Sequence, residues 1–130
     1  MSLRESYVLE TGKELEIYVK GSLENAGFET SMTPTTGDAG CDLIAKKGKH
    51  VILIQVKQVQ SDKPCAIGVR DVLNASERYK YQRPTKLALI TNAKMVTKAQ
   101  ADLATAKGAI ILRGDSIDNY GGALVTKMDG

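Results

Sequence analysis

Apolar residues recur at Leu15, Tyr18, Val19, Leu23 and Ala26, the spacing of one helical face, which predicts a helix over residues 12–26. Gly27 ends it, because glycine readily takes the left-handed conformation of a helix C-terminus. Residues 28–32 alternate as a short strand, and 33–37 read as a loop around Pro34. Residues 41–45 and 51–57 read as strands joined by the tight turn Lys46-Lys47-Gly48-Lys49. Residues 58–68, with Ser61-Asp62-Lys63-Pro64, read as an exposed loop. A second amphipathic helix then carries Val69, Val72, Leu73, Ser76 and Lys80 on one stripe.

Beyond Pro84 the pattern becomes strand, helix, strand. Leu87-Ala88-Leu89-Ile90-Thr91 and Ala109-Ile110-Ile111-Leu112 are continuously apolar, as buried strands are. Between them Thr97-Lys98-Ala99-Gln100 has the form of a capping box, with Thr97 opening a helix and Gln100 reaching back; Gly108 closes it. Gly114-Asp115-Ser116 is a turn, and the stretch from Gly121-Gly122 onward has no assignable pattern. Strand–helix–strand units imply parallel pairing, while the earlier hairpin is antiparallel. The expected fold is therefore three-layer α/β, a central mixed sheet flanked by helices.

Composition narrows the function. The 130 residues are 42% hydrophobic and 25% charged, as in an ordinary globule of one domain, 1–130. The net charge of +3 permits a nucleic-acid partner without demanding one. No apolar run is long enough to span a membrane and the start is too polar for a secretion signal, so a cytoplasmic location is expected. Cys41 and Cys65 lack metal-ligand spacing and read as small reduced thiols, and with His50 as the one histidine there is almost no material for a zinc site or a histidine-based triad.

What remains is the hairpin. If Lys47-Gly48 forms a two-residue turn, cross-strand partners sum to ninety-five and Asp42 faces Leu53. Side-chain alternation then puts Asp42, Gln55 and Lys57 on one face. Residues two apart on a strand lie roughly 6.5–7 Å apart, so one phosphate could touch both Gln55 and Lys57. The Asp42 carboxylate, the Gln55 amide oxygen and the Val56 carbonyl are hard oxygen donors suited to Mg²⁺, which would polarise a phosphate and acidify a bound water. Lys57 could stabilise developing charge. With no activated Ser, Cys or Tyr beside a base, direct hydrolysis is the expected chemistry.

Gly37-Asp38-Ala39-Gly40-Cys41-Asp42-Leu43-Ile44 followed by Ile54-Gln55-Val56-Lys57-Gln58 resembles the Mrr-type restriction endonuclease catalytic domain of the PD-(D/E)xK nuclease superfamily. The resemblance begins at Gly12-Lys13-Glu14-Leu15-Glu16. It continues through Leu89-Ile90-Thr91-Asn92-Ala93, Thr97-Lys98-Ala99-Gln100-Ala101 and Ile110-Ile111-Leu112-Arg113-Gly114-Asp115, covering a core of about 12–117. It implies a restriction-endonuclease-like fold and metal-dependent DNA cleavage by Asp42, Gln55 and Lys57, with Glu16, rather than Glu14, assisting at the metal. Mn²⁺ is expected to substitute for Mg²⁺. Gln55 stands where the superfamily usually has an acid, as is typical of the Mrr branch, and one fewer charge weakens metal binding.

Each residue has an ordinary competitor. Asp42 could bond backbone amides in the bend at Gly37–Gly40, and Asp38 reads as a turn former. Gln55 and Lys57 could be a solvated strand end, and Glu16 with Lys20 a surface pair. Arg78, Lys80 and Arg83, interleaved with tyrosines, could track DNA phosphates, or complement the helix dipole. Lys46, Lys47 and Lys49 could contact phosphates, or keep a hairpin tip soluble. The expected function is a metal-dependent deoxyribonuclease with DNA as partner. Its cutting is expected to be structure-directed or weakly selective, since no recognition domain is appended, and a homodimer would cut both strands. A Holliday junction resolvase of the same superfamily is one alternative; a catalytically inactive DNA-binding or assembly module is another.

Overall fold

The computed structural model describes residues 12–33, 43–60, 62–114 and 118–129. Five strands, β1 (Glu29–Met32), β2 (Leu43–Lys47), β3 (His50–Lys57), β4 (Lys86–Thr91) and β5 (Ile110–Leu112), lie side by side in chain order. β1, β2 and β3 pair antiparallel, whereas β3, β4 and β5 pair parallel. The helices are α1 (Gly12–Asn25), α2 (Val69–Arg78), α3 (Lys98–Lys107) and α4 (Tyr120–Asp129), with a 3-10 turn at Lys80–Gln82.

Alternation along the strands builds the layers. Ile52, Ile54 and Val56 of β3, with Ala88, Ile90 and Leu112, pack against Leu15, Val19 and Leu23 of α1 and Tyr120 and Leu124 of α4. On the opposite side Leu53 and Ile44 meet Val72 and Ala75 of α2, while Leu89 meets Val69 of α2 and Ala104 of α3. A mixed sheet between two helical layers is the three-layer α/β fold that the sequence pattern implied. Among the described residues no helix is long and apolar enough to cross a membrane.

The hairpin register differs from expectation. Lys47 pairs with His50, Ile44 with Leu53 and Leu43 with Ile54, so partners sum to ninety-seven and Leu53 faces Ile44 rather than Asp42. The turn is centred on Gly48-Lys49 because Gly48, at φ 60°, takes the first central position, where a two-residue hairpin turn of type II′ requires positive φ. The shift moves the pairing by two in the sum, which preserves the face on which each side chain lies. Strand β2 correspondingly ends at Lys47, two residues later than the pattern suggested, and the expected Cys41 and Asp42 lie outside the described residues.

Three further details depart from the sequence pattern. Thr97 does cap α3, accepting from the Gln100 N–H at 3.4 Å. The Gln100 side chain does not reach back, however: its Oε1 accepts from Val69 N–H, and Thr97 N–H donates to Cys65 O. The span after Lys57 is not wholly exposed, since Cys65 is buried in a bridge with Val96. The buried stripe of α2 is Val69, Val72 and Ala75, and Lys80 lies beyond the helix and exposed.

The tail forms α4. Tyr120 Oη donates to Thr91 O at 2.7 Å, and Gly121 N–H donates to Ser22 Oγ at 2.9 Å. Glu24 ties the far end of α1 to β1, receiving Lys20 Nζ and Thr30 Oγ1 at 3.0 Å each. Those two donors, with the Lys20 charge, hold its carboxyl below the usual range.

Candidate active site

Parallel pairing brings the C-terminal ends of β3, β4 and β5 to one end of the sheet, where α2 and α3 begin. Gln55, Val56 and Lys57 are the last residues of β3 and pair with Leu89, Ile90 and Thr91 of β4. Among the described residues the β2 pairing of β3 extends only to Ile54. By alternation Gln55 and Lys57 share the α2 side of the sheet while Val56 faces α1.

Burial separates the two polar groups. Gln55 is 4% exposed and is no solvated strand end. Its Oε1 meets no hydrogen-bond donor among the described residues, although the residue makes other contacts. Lys57 sits at the rim, its Nζ 3.3 Å from Asp71 Oδ2, with side chains 26% and 37% exposed. At that exposure the pair is worth about 0.2–1 kcal/mol. The exit of β3 is held by Asn92, whose Oδ1 accepts from Val59 N–H at 2.8 Å while its Nδ2 donates to Val59 O at 2.9 Å.

The first-helix acids separate cleanly. Glu16 is 8% exposed next to Leu15 in the core stripe, whereas Glu14 is exposed and lines an outer groove of about 560 Å³ with Ile17, Gly21 and Asp118. Lys20 pairs with Glu24 at 3.0 Å. The C-terminal end of α1 reaches the hairpin tip, where Lys47 Nζ donates to Ala26 O at 2.7 Å. Glu16 comes from the α1 layer, Gln55 and Lys57 from the α2 side. Asp42, the proposed acidic ligand, lies outside the described residues.

The donor set of Glu16 carboxylate, Gln55 amide and Val56 carbonyl is all oxygen, which fits a hard divalent cation and not a thiophilic one. Among the described residues no group of three or more His, Cys, Asp or Glu could hold a metal.

The six cations singled out in the sequence lie at the opposite end. Lys46 and Lys49 flank the hairpin turn and are exposed, and Lys47 is tied to Ala26 and lies 5.6 Å over the Phe28 ring. Arg78, Lys80 and Arg83 approach the same end, because Thr85 N–H donates to Val51 O at 2.7 Å. From His50 to Lys57 the strand spans about 23 Å, so these groups stand far from Lys57. Arg70, Lys94, Lys98 and Arg113, in the first turns of α2 and α3 or just past β4 and β5, surround the Lys57 end instead. Their signal was their place after parallel strands, where open α/β sheets gather ligands.

Comparison with known proteins bears on this arrangement. The family Mrr_cat, described as restriction endonuclease, matches residues 9–120. No curated protein matches the chain. A solved structure titled as a protein of unknown function, AF1548, superposes with a TM-score of 0.60 at 14% identity over 78% of this chain. The matched part is 57% of that longer protein, and at this identity the likeness concerns the fold alone. With the family matched over most of its length and the three-layer mixed sheet in place, this chain belongs to the Mrr-type restriction endonuclease family of nucleases.

Proposed function

We propose that the chain hydrolyses DNA phosphodiester bonds at the end of β3 with a divalent cation, Mg²⁺ or in its place Mn²⁺. One observation carries the reading: Gln55 and Lys57 share one side of the strand end, one buried and one at the rim. A buried amide beside a rim lysine at a strand end, in a nuclease family, favours a ligand role for Gln55. Asp42, the residue before Leu43, supplies the charged ligand in this reading, with Gln55, the Val56 carbonyl and Glu16 as further oxygens. When bound, the cation supplies Lewis acidity toward the scissile phosphate and lowers the pKa of water.

The chain's own residues do the rest. Lys57 places a positive charge where the transition state gains negative charge. Arg70, Lys94 and Lys98 attract the neighbouring phosphates, and the cations at the hairpin end meet backbone about seven base pairs away at 3.4 Å per step. Each site cuts one strand, so two copies cleave a duplex.

Incubation with linear, nicked, branched and single-stranded DNA, in Mg²⁺, Mn²⁺ or chelator, tests this. Cleavage in either metal and none in chelator is expected, and preference among the four DNAs reports the substrate class, junctions included. DNA that is bound but uncut in both metals would reassign the chain as a binding module.

A further inference from the structure

We infer that Asp71 is a positioning residue for Lys57, holding its ammonium at the rim so that it faces an arriving phosphate. The inference rests on the nuclease reading above and adds a residue to it. Lysine carries its charge on a flexible stem with several rotatable bonds, so an ammonium at a rim is mobile unless something holds it. Here two features hold it. The stem lies over Gly68: a Cβ there would come within 3.1 Å of Lys57 Cγ and 2.5 Å of Leu89 Cδ1, and φ at Gly68 is 117°, a conformation only glycine takes without strain. The head meets Asp71 Oδ2 at 3.3 Å.

Asp71 is itself fixed. It sits in the first turn of α2, whose start is held from α3 by Gln100 Oε1 accepting Val69 N–H at 3.0 Å. The pairs Lys20–Glu24 and Lys98–Asp102 join residues four apart in one helix, whereas Lys57–Asp71 joins the site strand to a helix of the opposing layer. Because both partners are partly exposed, the pair orients the ammonium without trapping it, and a phosphate can draw it away.

Asp71→Asn keeps the shape and removes the charge; Asp71→Glu restores it. Turnover in Asp71→Asn should fall about two- to fivefold, the size a partly exposed ion pair can bias. KM for DNA should stay within about twofold, since an effect confined to the transition state leaves substrate binding alone. Asp71→Glu should recover most of the loss at an unchanged melting temperature. The double variant Lys57→Ala/Asp71→Asn should be no slower than Lys57→Ala, because Asp71 acts through Lys57. NMR relaxation of the Lys57 side-chain methylenes should show their order lost in Asp71→Asn and kept in Asp71→Glu. Undiminished turnover, additive losses, or unchanged Lys57 order in Asp71→Asn would each overturn the assignment. If the unmodified protein cuts no DNA, the nuclease reading fails by itself, and the relaxation data still decide whether Asp71 orders Lys57.

Discussion

Asn92 grips Val59 with both ends of its side-chain amide, accepting from its N–H at 2.8 Å and donating to its C=O at 2.9 Å. The clamp joins the residue just past β4 to the chain leaving β3, two residues after Lys57, and so sets where the strand end stops. Asn92→Ala leaves both backbone groups without this partner, at a cost of about 1–3 kcal/mol. Asn92→Asp turns a carboxylate oxygen toward the Val59 carbonyl and should cost at least as much. Urea denaturation reads both, and midpoints equal to the unmodified protein's would show the clamp to be dispensable.

Asp42→Asn should abolish cleavage with the circular-dichroism spectrum and melting temperature retained, because it removes the main charge proposed for the cation. Lys57→Ala should lower kcat by about 100-fold or more while DNA affinity changes little, as expected of a group acting on the transition state. Retained activity in the first, or equal losses of rate and affinity in the second, would remove these residues from their roles.

Gln55→Glu restores a carboxylate at a position that is 4% exposed. With metal bound, the added charge should tighten Mn²⁺ binding by about tenfold, equivalent to about 1.4 kcal/mol. Without metal, an ionised carboxylate in that buried place should destabilise the fold. Calorimetric titration and melting in chelator report the two halves, and an unchanged metal affinity would argue that Gln55 is no ligand.

The separation of about 23 Å between Lys57 and the hairpin-end cations makes their contribution depend on DNA length. Lys49→Ala and Arg83→Ala should weaken binding to a duplex of about twenty base pairs and leave one of about six unaffected at 3.4 Å per step. Affinity for the longer duplex should also fall steeply with added salt. Equal effects on both lengths would place these residues off the DNA path.

Gly121 lies where α4 crosses α1, donating its N–H to Ser22 Oγ, and an added Cβ would press on Ser22 O and come within 2.8 Å of Ala26 Cβ. Because most of that contact is with backbone, Gly121→Ala should destabilise the protein by about 1–3 kcal/mol. A melting temperature equal to that of the unmodified protein would mean that the helices separate at no cost.

Much of the architecture was legible because it follows short-range rules. The α1 stripe of Leu15, Val19 and Leu23, the Thr97 cap and the Gly108 stop each depend on a few adjacent residues. The parallel half of the sheet followed from helices too long to be hairpin loops. The turn register was less legible, because Lys47-Gly48 and Gly48-Lys49 compete locally and the choice lies in which position needs positive φ. The tail was illegible for the same kind of reason: Gly121-Gly122 reads as a helix breaker unless a second helix packs close enough to need the missing side chain.

For the site, the linear order of residues by itself determined that Gln55 and Lys57 share a side of one strand, since alternation has a period of two. It also singled out Glu16 over Glu14 by likeness to a family; in the fold Glu16 is buried and Glu14 exposed. Only the tertiary structure decided that the Lys46–Lys49 and Arg78–Arg83 cations stand at the far end of the sheet. Only it brought Asp71, Gly68 and Asn92 to the end of β3. Those three lie between eleven and thirty-five residues beyond Lys57 in the chain, and the contacts that join them are made by the packing of α2 and β4 on β3, which no local pattern encodes.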